Sequence, residues 1–266
     1  MNARYFRTAA VLLLCSGALT AAQTPNPRLP APREVIQRYV DAIGGEAMVR
    51  KPKSMTMAGT FSMPAAGLEG TFRLLSMAPD RQLQSVTLPG VGEIREGFDG
   101  RYGWAINPMT GPMLFDGAML RQARFRADFY APLHDPARYR TMETAGRVKF
   151  GELDTYELRL VTSEGDEIVE YFAVDSGLLV GFETTAETAM GPQTIRNSVH
   201  DYKDFSGLRL PTRIEQELGP GMTQTVTFTS ITRDDVDPAS FALPPEIRAL
   251  VEGGTAATPA AAPRAN

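Results

Sequence analysis

Two histidines, His134 and His200, are the only imidazoles in the chain, and 66 residues separate them. Neither has a second histidine at helical or hairpin spacing, so the pairings that hold zinc or build a Ser-His-Asp relay are not evident. Glu164, Asp166, Glu167 and Glu170 straddle a turn and a strand start. Nothing in the pattern forces those carboxylates into one dry site, as general acid–base work requires, and they read as a solvated face. Asp234, Asp235 and Asp237 lack the loop glycine and closing glutamate of a calcium loop. No nucleophile elbow, H-E-x-x-H helix, phosphate loop or dinucleotide fingerprint occurs. The glycines of "GVGEIREG" (90–97) precede a strand rather than a helix, so they read as a hairpin turn. The expectation is a protein with no catalytic residue, no metal and no cofactor.

The apolar residues carry more information. The chain has 12 methionines, grouped as Met55, Met57 and Met63 and again as Met109, Met113 and Met119. Methionine is flexible and polarisable, and suits surfaces that adapt to variable apolar partners. The single tryptophan, Trp104, sits in "GFDGRYGWAINPMTG" (97–111), and Phe125, Phe129 and Tyr130 follow. It is either a packing residue or part of a cavity wall; we place it on the wall, facing a concave surface.

Several elements must position these side chains. Arg4 and Arg7 precede "TAAVLLLCSGALTAA", the layout of a secretory signal peptide over 1–22, too short to span a bilayer. Cys15 lies inside that run behind three leucines, unlike a lipidation site, so the mature chain is expected to hold no cysteine and no disulfide. Losing Arg4 and Arg7 leaves 25 basic and 31 acidic residues, a net charge of about −6. With no basic cluster, nucleic-acid binding is disfavoured.

A proline-rich leader (23–32) precedes Val35, Ile36, Tyr39, Val40 and Ile43, an amphipathic helix of about 11 residues stopped by Gly44–Gly45. From Ser54 to about Ile231 the pattern has period two, with close-set turns such as Asp175-Ser176-Gly177. This predicts a mainly β protein of about 11 antiparallel strands. Midway, Met119, Leu120, Ala123, Ala127 and Tyr130 form a helical stripe over 116–131, with Asp116 placed to cap it and Pro132 beyond its end. Such a helix cannot join the sheet and must lie on a face or across its mouth. After residue 243 a short helical turn holding Ile247 and Leu250 precedes an Ala/Pro tail (244–266).

The helix ending in "AIGGEAMV", the meander, the "DG…W" strand, "YFAVDSGLLVGFE" and "DYKDFSGLRLPTRIE" together resemble the LolA/LolB-like outer-membrane lipoprotein-sorting superfamily. The likeness covers roughly 33–243. It implies a strongly curved, unclosed antiparallel barrel with an N-terminal helix and a midway lid helix, enclosing an apolar cavity for acyl chains. It also implies a cavity arginine, for which Arg73, Arg81 and Arg95 are candidates. The expected cavity residues are Met57, Phe61, Phe72, Leu74, Trp104, Ile106, Met113, Met119, Leu120, Phe125, Phe129, Tyr130, Phe172 and Phe182. The function so implied is that of a monomeric periplasmic carrier of lipid or acylated protein, making transient membrane contact. The alternative is an envelope sensor on the same fold that regulates a protein partner in response to an apolar ligand.

Overall fold

The computed structural model describes residues 28–188 and 191–253. The expected signal peptide, the first half of the leader and the end of the tail lie outside the described residues.

Pro32 fixes the first turn of helix α1 (Pro32–Ala42), and the Glu34 carboxylate accepts a hydrogen bond from the Ala31 amide at 2.8 Å. Gly44 and Gly45 take positive φ and end it, and a single-turn α2 (Glu46–Arg50) follows. The chain then alternates through β1 (Ser54–Met63), β2 (Leu68–Met77), β3 (Arg81–Leu88), β4 (Gly92–Phe98), β5 (Gly103–Asn107) and β6 (Gly111–Leu114). Helix α3 (Gly117–Arg126) and two 3-10 turns (Ala131–Leu133, Pro136–Arg138) lead into β7 (Tyr139–Phe150), β8 (Leu153–Thr162), β9 (Glu167–Ala173), β10 (Leu179–Thr188) and β11 (Gly191–His200). A small hairpin, β12 (Lys203–Phe205) with β13 (Leu208–Leu210), precedes β14 (Arg213–Gly219) and β15 (Met222–Arg233). A 3-10 turn (Pro238–Phe241) and α4 (Pro245–Glu252) close the described chain.

Thirteen strands form one antiparallel sheet, ordered β6-β5-β4-β3-β2-β1-β15-β14-β11-β10-β9-β8-β7. The sheet is open, with β6 and β7 as its edges. The count exceeds the expected 11 for local reasons. Strand β6 has only four residues, too few to show a period. Asp201, at φ 57°, breaks "QTIRNSVHDYKDF" into β11 and β12, and Pro211 separates β13 from β14.

The sheet is strongly curved. Eight strand-to-strand steps separate β5 from β10, roughly 38 Å on a flat sheet. The ten-residue α3 is only about 15 Å long. Yet it touches both sides: a Cβ on Gly103 of β5 would lie 3.3 Å from the Cβ of Ala123, and Gln122 Nε2 donates to the Thr185 carbonyl of β10 at 3.0 Å. The two halves of the sheet therefore face one another across α3.

Register places α1 and α3 on one face, which is the concave one. Leu158, Leu160, Ile168 and Phe172 project there from β8 and β9 and pack with Val35, Ile36, Tyr39, Val40 and Ile43. At the other end, Phe98, Phe115, Ala123 and Ala127 form a second cluster with Leu120. The expected stripe over 116–131 is helical only to Arg126. Asp128 then pairs with Arg138, and the prolines at 132 and 136 start 3-10 turns. Asp116 occupies the N-cap without a side-chain hydrogen bond.

Candidate functional site

Between the two clusters, the central strands present a concave face on which several apolar side chains are only partly covered. Alternation puts Met55, Met57 and Phe61 of β1 on this side, opposite Phe72 and Leu74 of β2, with Val226 and Phe228 on β15 and Ile214 on β14. Phe72 and Phe228 meet edge to face at 5.7 Å. The convex side of the same strands carries Thr56, Thr60, Thr71, Arg73, Thr225 and Thr227. Thr60, Thr71 and Arg73 there are exposed, whereas Leu75, between Thr56 and Leu83 on the same face, is buried. On the concave side, however, Met57, Phe72, Leu74, Val226, Ile214 and Phe182 remain only half-buried. They form an apolar band on five strands, β2, β1, β15, β14 and β10, beyond the scattered exposure usual at a protein surface.

Polar groups interrupt the band at three places. Gln224 Nε2 donates to Gln216 Oε1 at 2.5 Å, and Gln216 Nε2 donates to Asn197 Oδ1 at 3.1 Å, a ladder of amides across β15, β14 and β11. Under the end of α3, Gln84 donates to Glu96, which also pairs with Arg126. Arg233, opposite Met55, has an Nη1 that is buried without a hydrogen-bond partner among the described residues. Arg233 stands on the last strand, whereas the sequence drew attention to early ones. Arg73, Arg81 and Arg95 all project from the convex face.

The residues expected to line a cavity fall into four groups. Met57, Phe61, Phe72, Leu74 and Phe182 share the concave band. Phe172 faces the same way but is fully buried under α1. Along the α3 region, Leu120 packs in the β4–β5 cluster, and Phe125 lies edge to face with Tyr139 at 6.1 Å. Phe129 abuts Tyr130 at 5.2 Å, while Met119 and Met113 are exposed. Trp104 and Ile106 lie on the opposite, convex face. Trp104 pairs with Gly97, and a Cβ there would stand 2.7 Å from the indole, while Gly103 beside it faces α3. The expectation for Trp104 is thus reversed. On that face it stands between Gly97 of β4 and Leu114 of β6, and the chain after β15, where Asp235 accepts hydrogen bonds from Thr56 and Thr232, runs on to contact β3 and β6.

His134 does find a carboxylate. Its Nε2 lies 2.6 Å from Glu170 Oε2 and its Nδ1 lies 3.1 Å from the Pro132 carbonyl. A carbonyl only accepts, so Nδ1 carries a proton. Both ring nitrogens are thereby engaged, no hydroxyl contacts them, and the ring is walled by Tyr39, Tyr139 and Phe172. This arrangement has no room for proton relay to a nucleophile. It instead ties the 3-10 turn after α3 to β9. Burial acts to depress the His134 pKa, but the charge and hydrogen bond of Glu170 outweigh it and raise the pKa, with Arg138 opposing weakly.

The sign of the linkage follows. A raised folded pKa means the pair's contribution is fully present below the ordinary value near 6.5 and is lost as pH rises through the folded value. Urea unfolding at a series of pH values should show a loss of stability on the alkaline side of about 6.5 that Glu170→Gln removes. An unchanged pH profile in Glu170→Gln would show that the pair does not hold the turn.

Among the described residues no group of three His, Cys, Asp or Glu side chains could hold a metal ion, and no helix is long and apolar enough to cross a membrane. No protein-family model and no curated protein sequence matches the chain. Solved structures do. A DUF1329 family protein from Desulfovibrio piger superposes with a TM-score of 0.56 at 12% identity, covering 79% of this chain and 95% of that one. A LolA superfamily protein from Nitrosomonas europaea superposes with a TM-score of 0.52 at 16% identity, covering 81% of this chain and 99% of the other. At such identities the likeness speaks for architecture alone: the open, curved antiparallel sheet described above is one that this chain shares with both of those structures.

Proposed function

We propose that this protein is a non-catalytic carrier that holds acyl chains of a lipid or lipoprotein against the concave sheet, with α3 as its lid. The observation that supports this reading most is the half-buried apolar band between the α1 and α3 clusters. Curvature turns that band inward, where a flat protein surface could not cover it but a flexible hydrocarbon chain could. Each methylene moved there from water contributes about 0.8 kcal/mol. A single chain of about 14 carbons partitions only marginally, with a constant on the order of 10⁴ M⁻¹. A ligand with two or more chains would therefore be retained far better. The amide ladder and Arg233 give the polar part of such a ligand partners at the edges of the band. The signal-peptide layout of the sequence and the fold both accord with work in the cell envelope.

Native mass spectrometry of the protein purified from its own envelope tests this. Co-purifying acyl lipid or acylated peptide is the expected result. A bare protein that also leaves a fluorescent fatty acid dark would overturn the reading.

A further inference from the structure

Antiparallel connectivity sends the β1–β2, β3–β4, β5–β6 and β14–β15 turns to one end of the sheet, because β15 runs antiparallel to β1. The four tips are Pro64-Ala65-Ala66-Gly67, Pro89-Gly90-Val91, Pro108-Met109-Thr110 and Pro220-Gly221, the last leading into Met222. Each begins with proline and none contains a charged residue. Their side chains are largely exposed, Met109 at 82% and Met222 at 44%. The turns at the opposite end differ: Asp80, Asp99 with Arg101, Glu152 and Asp175 put charge into every one of them. Turn chemistry alone does not produce this contrast, since Asp and Asn are as suited to tight turns as Pro and Gly.

We propose that these four tips form a docking rim that rests on an uncharged lipid surface, so that chains pass between bilayer and concave face without crossing water. This rests on the carrier reading for its purpose, though the rim itself is independent of what the band holds. Three features favour lipid over a protein partner. Four separated apolar points would need four matching pockets on a protein, whereas a bilayer yields to each. No tip offers a hydrogen-bonding side chain except Thr110, and interfaces between proteins need oriented polar groups. The rim also bounds the end of the same sheet that carries the apolar band. Charge sets the lipid class. The first charged residues behind three of the tips are Glu69, Glu93 and Glu217, which repel anionic headgroups. Among the described residues, charge at this end is confined to the β8–β9 turn, where Arg121 and Arg124 of α3 pair with Glu164 and Asp166, and to the Asp135–Arg138 turn beside it, where Arg138 pairs with Asp128.

Flotation with phosphatidylcholine vesicles tests the rim. Wild type should float with the vesicles equally at low and high salt. Met109→Asp and Met222→Asp, both at exposed tips that carry no core packing, should each reduce partitioning about tenfold, and together about a hundredfold. Both variants should still take up a fluorescent fatty acid from solution like wild type but load slowly from vesicles. Variants that float and load from vesicles like wild type would overturn the rim. So would wild type that binds only anionic vesicles and is released by salt. Wild type that floats yet takes up no fatty acid from solution would support the rim while sinking the carrier reading.

Discussion

Phe172→Ala is expected to lower the unfolding free energy by about 3–5 kcal/mol, the usual cost of emptying a fully buried aromatic site. Phe172 is 0% exposed and joins three elements. Its ring lies 5.4 Å from Tyr39 of α1 and 6.1 Å from His134 in the turn after α3, while its backbone belongs to β9. The cavity would be bounded by Tyr39, Leu158 and Ile168, which the sheet holds in place and which cannot collapse inward. For a domain of this size the expected fall in Tm is about 2–4 °C per kcal/mol, so a drop near 10 °C in a thermal melt is anticipated. A loss below about 1 kcal/mol would mean that α1 is not held by this cluster.

Leu74→Asp should do the reverse, sparing stability and abolishing binding. Leu74 is only half-buried on the concave side of β2. In the free protein a carboxylate there stays hydrated, so the fold should lose no more than about 1–2 kcal/mol. An acyl chain laid on the band must strip that hydration, and an uncompensated buried charge is not tolerated. Affinity for a fluorescent fatty acid should fall at least a hundredfold. Arg73→Asp, one residue earlier and on the convex face, is the control and should bind like wild type. Equal losses in the two variants would contradict the assignment of faces.

Period-two alternation in "LEGTFRLLSM" already separates Phe72 and Leu74 from Thr71 and Arg73. It does not say which side the sheet curls toward, because both parities are equivalent until the strands are paired and a helix occupies one face. Where the central strands are apolar on one parity only, the concave side follows, and Met57, Phe61 and Phe182 could be placed. Strand β5 is apolar on both parities, with Trp104 and Ile106 on one side and Ala105 on the other. There the larger side chain misled: α3 packs closely on Gly103 and Ala105, and a residue as large as tryptophan would not fit beneath it. The arginines failed similarly. Arg73, Arg81 and Arg95 sit on early strands as the family resemblance implied, but their parity is convex, while Arg233 reaches the concave side only because β15 closes back onto β1. The His134–Glu170 contact spans 36 residues and two elements, and no local spacing announces it.

Photolabelling with a diazirine-bearing fatty acid, followed by peptide mapping, tests most directly that the concave band is the ligand site. The expected adducts fall on Met57, Phe72, Leu74 and Phe182, with none on the peptide face that carries Trp104 and Ile106. Labelling confined to Trp104 and Ile106, or absent at saturating ligand, would contradict it.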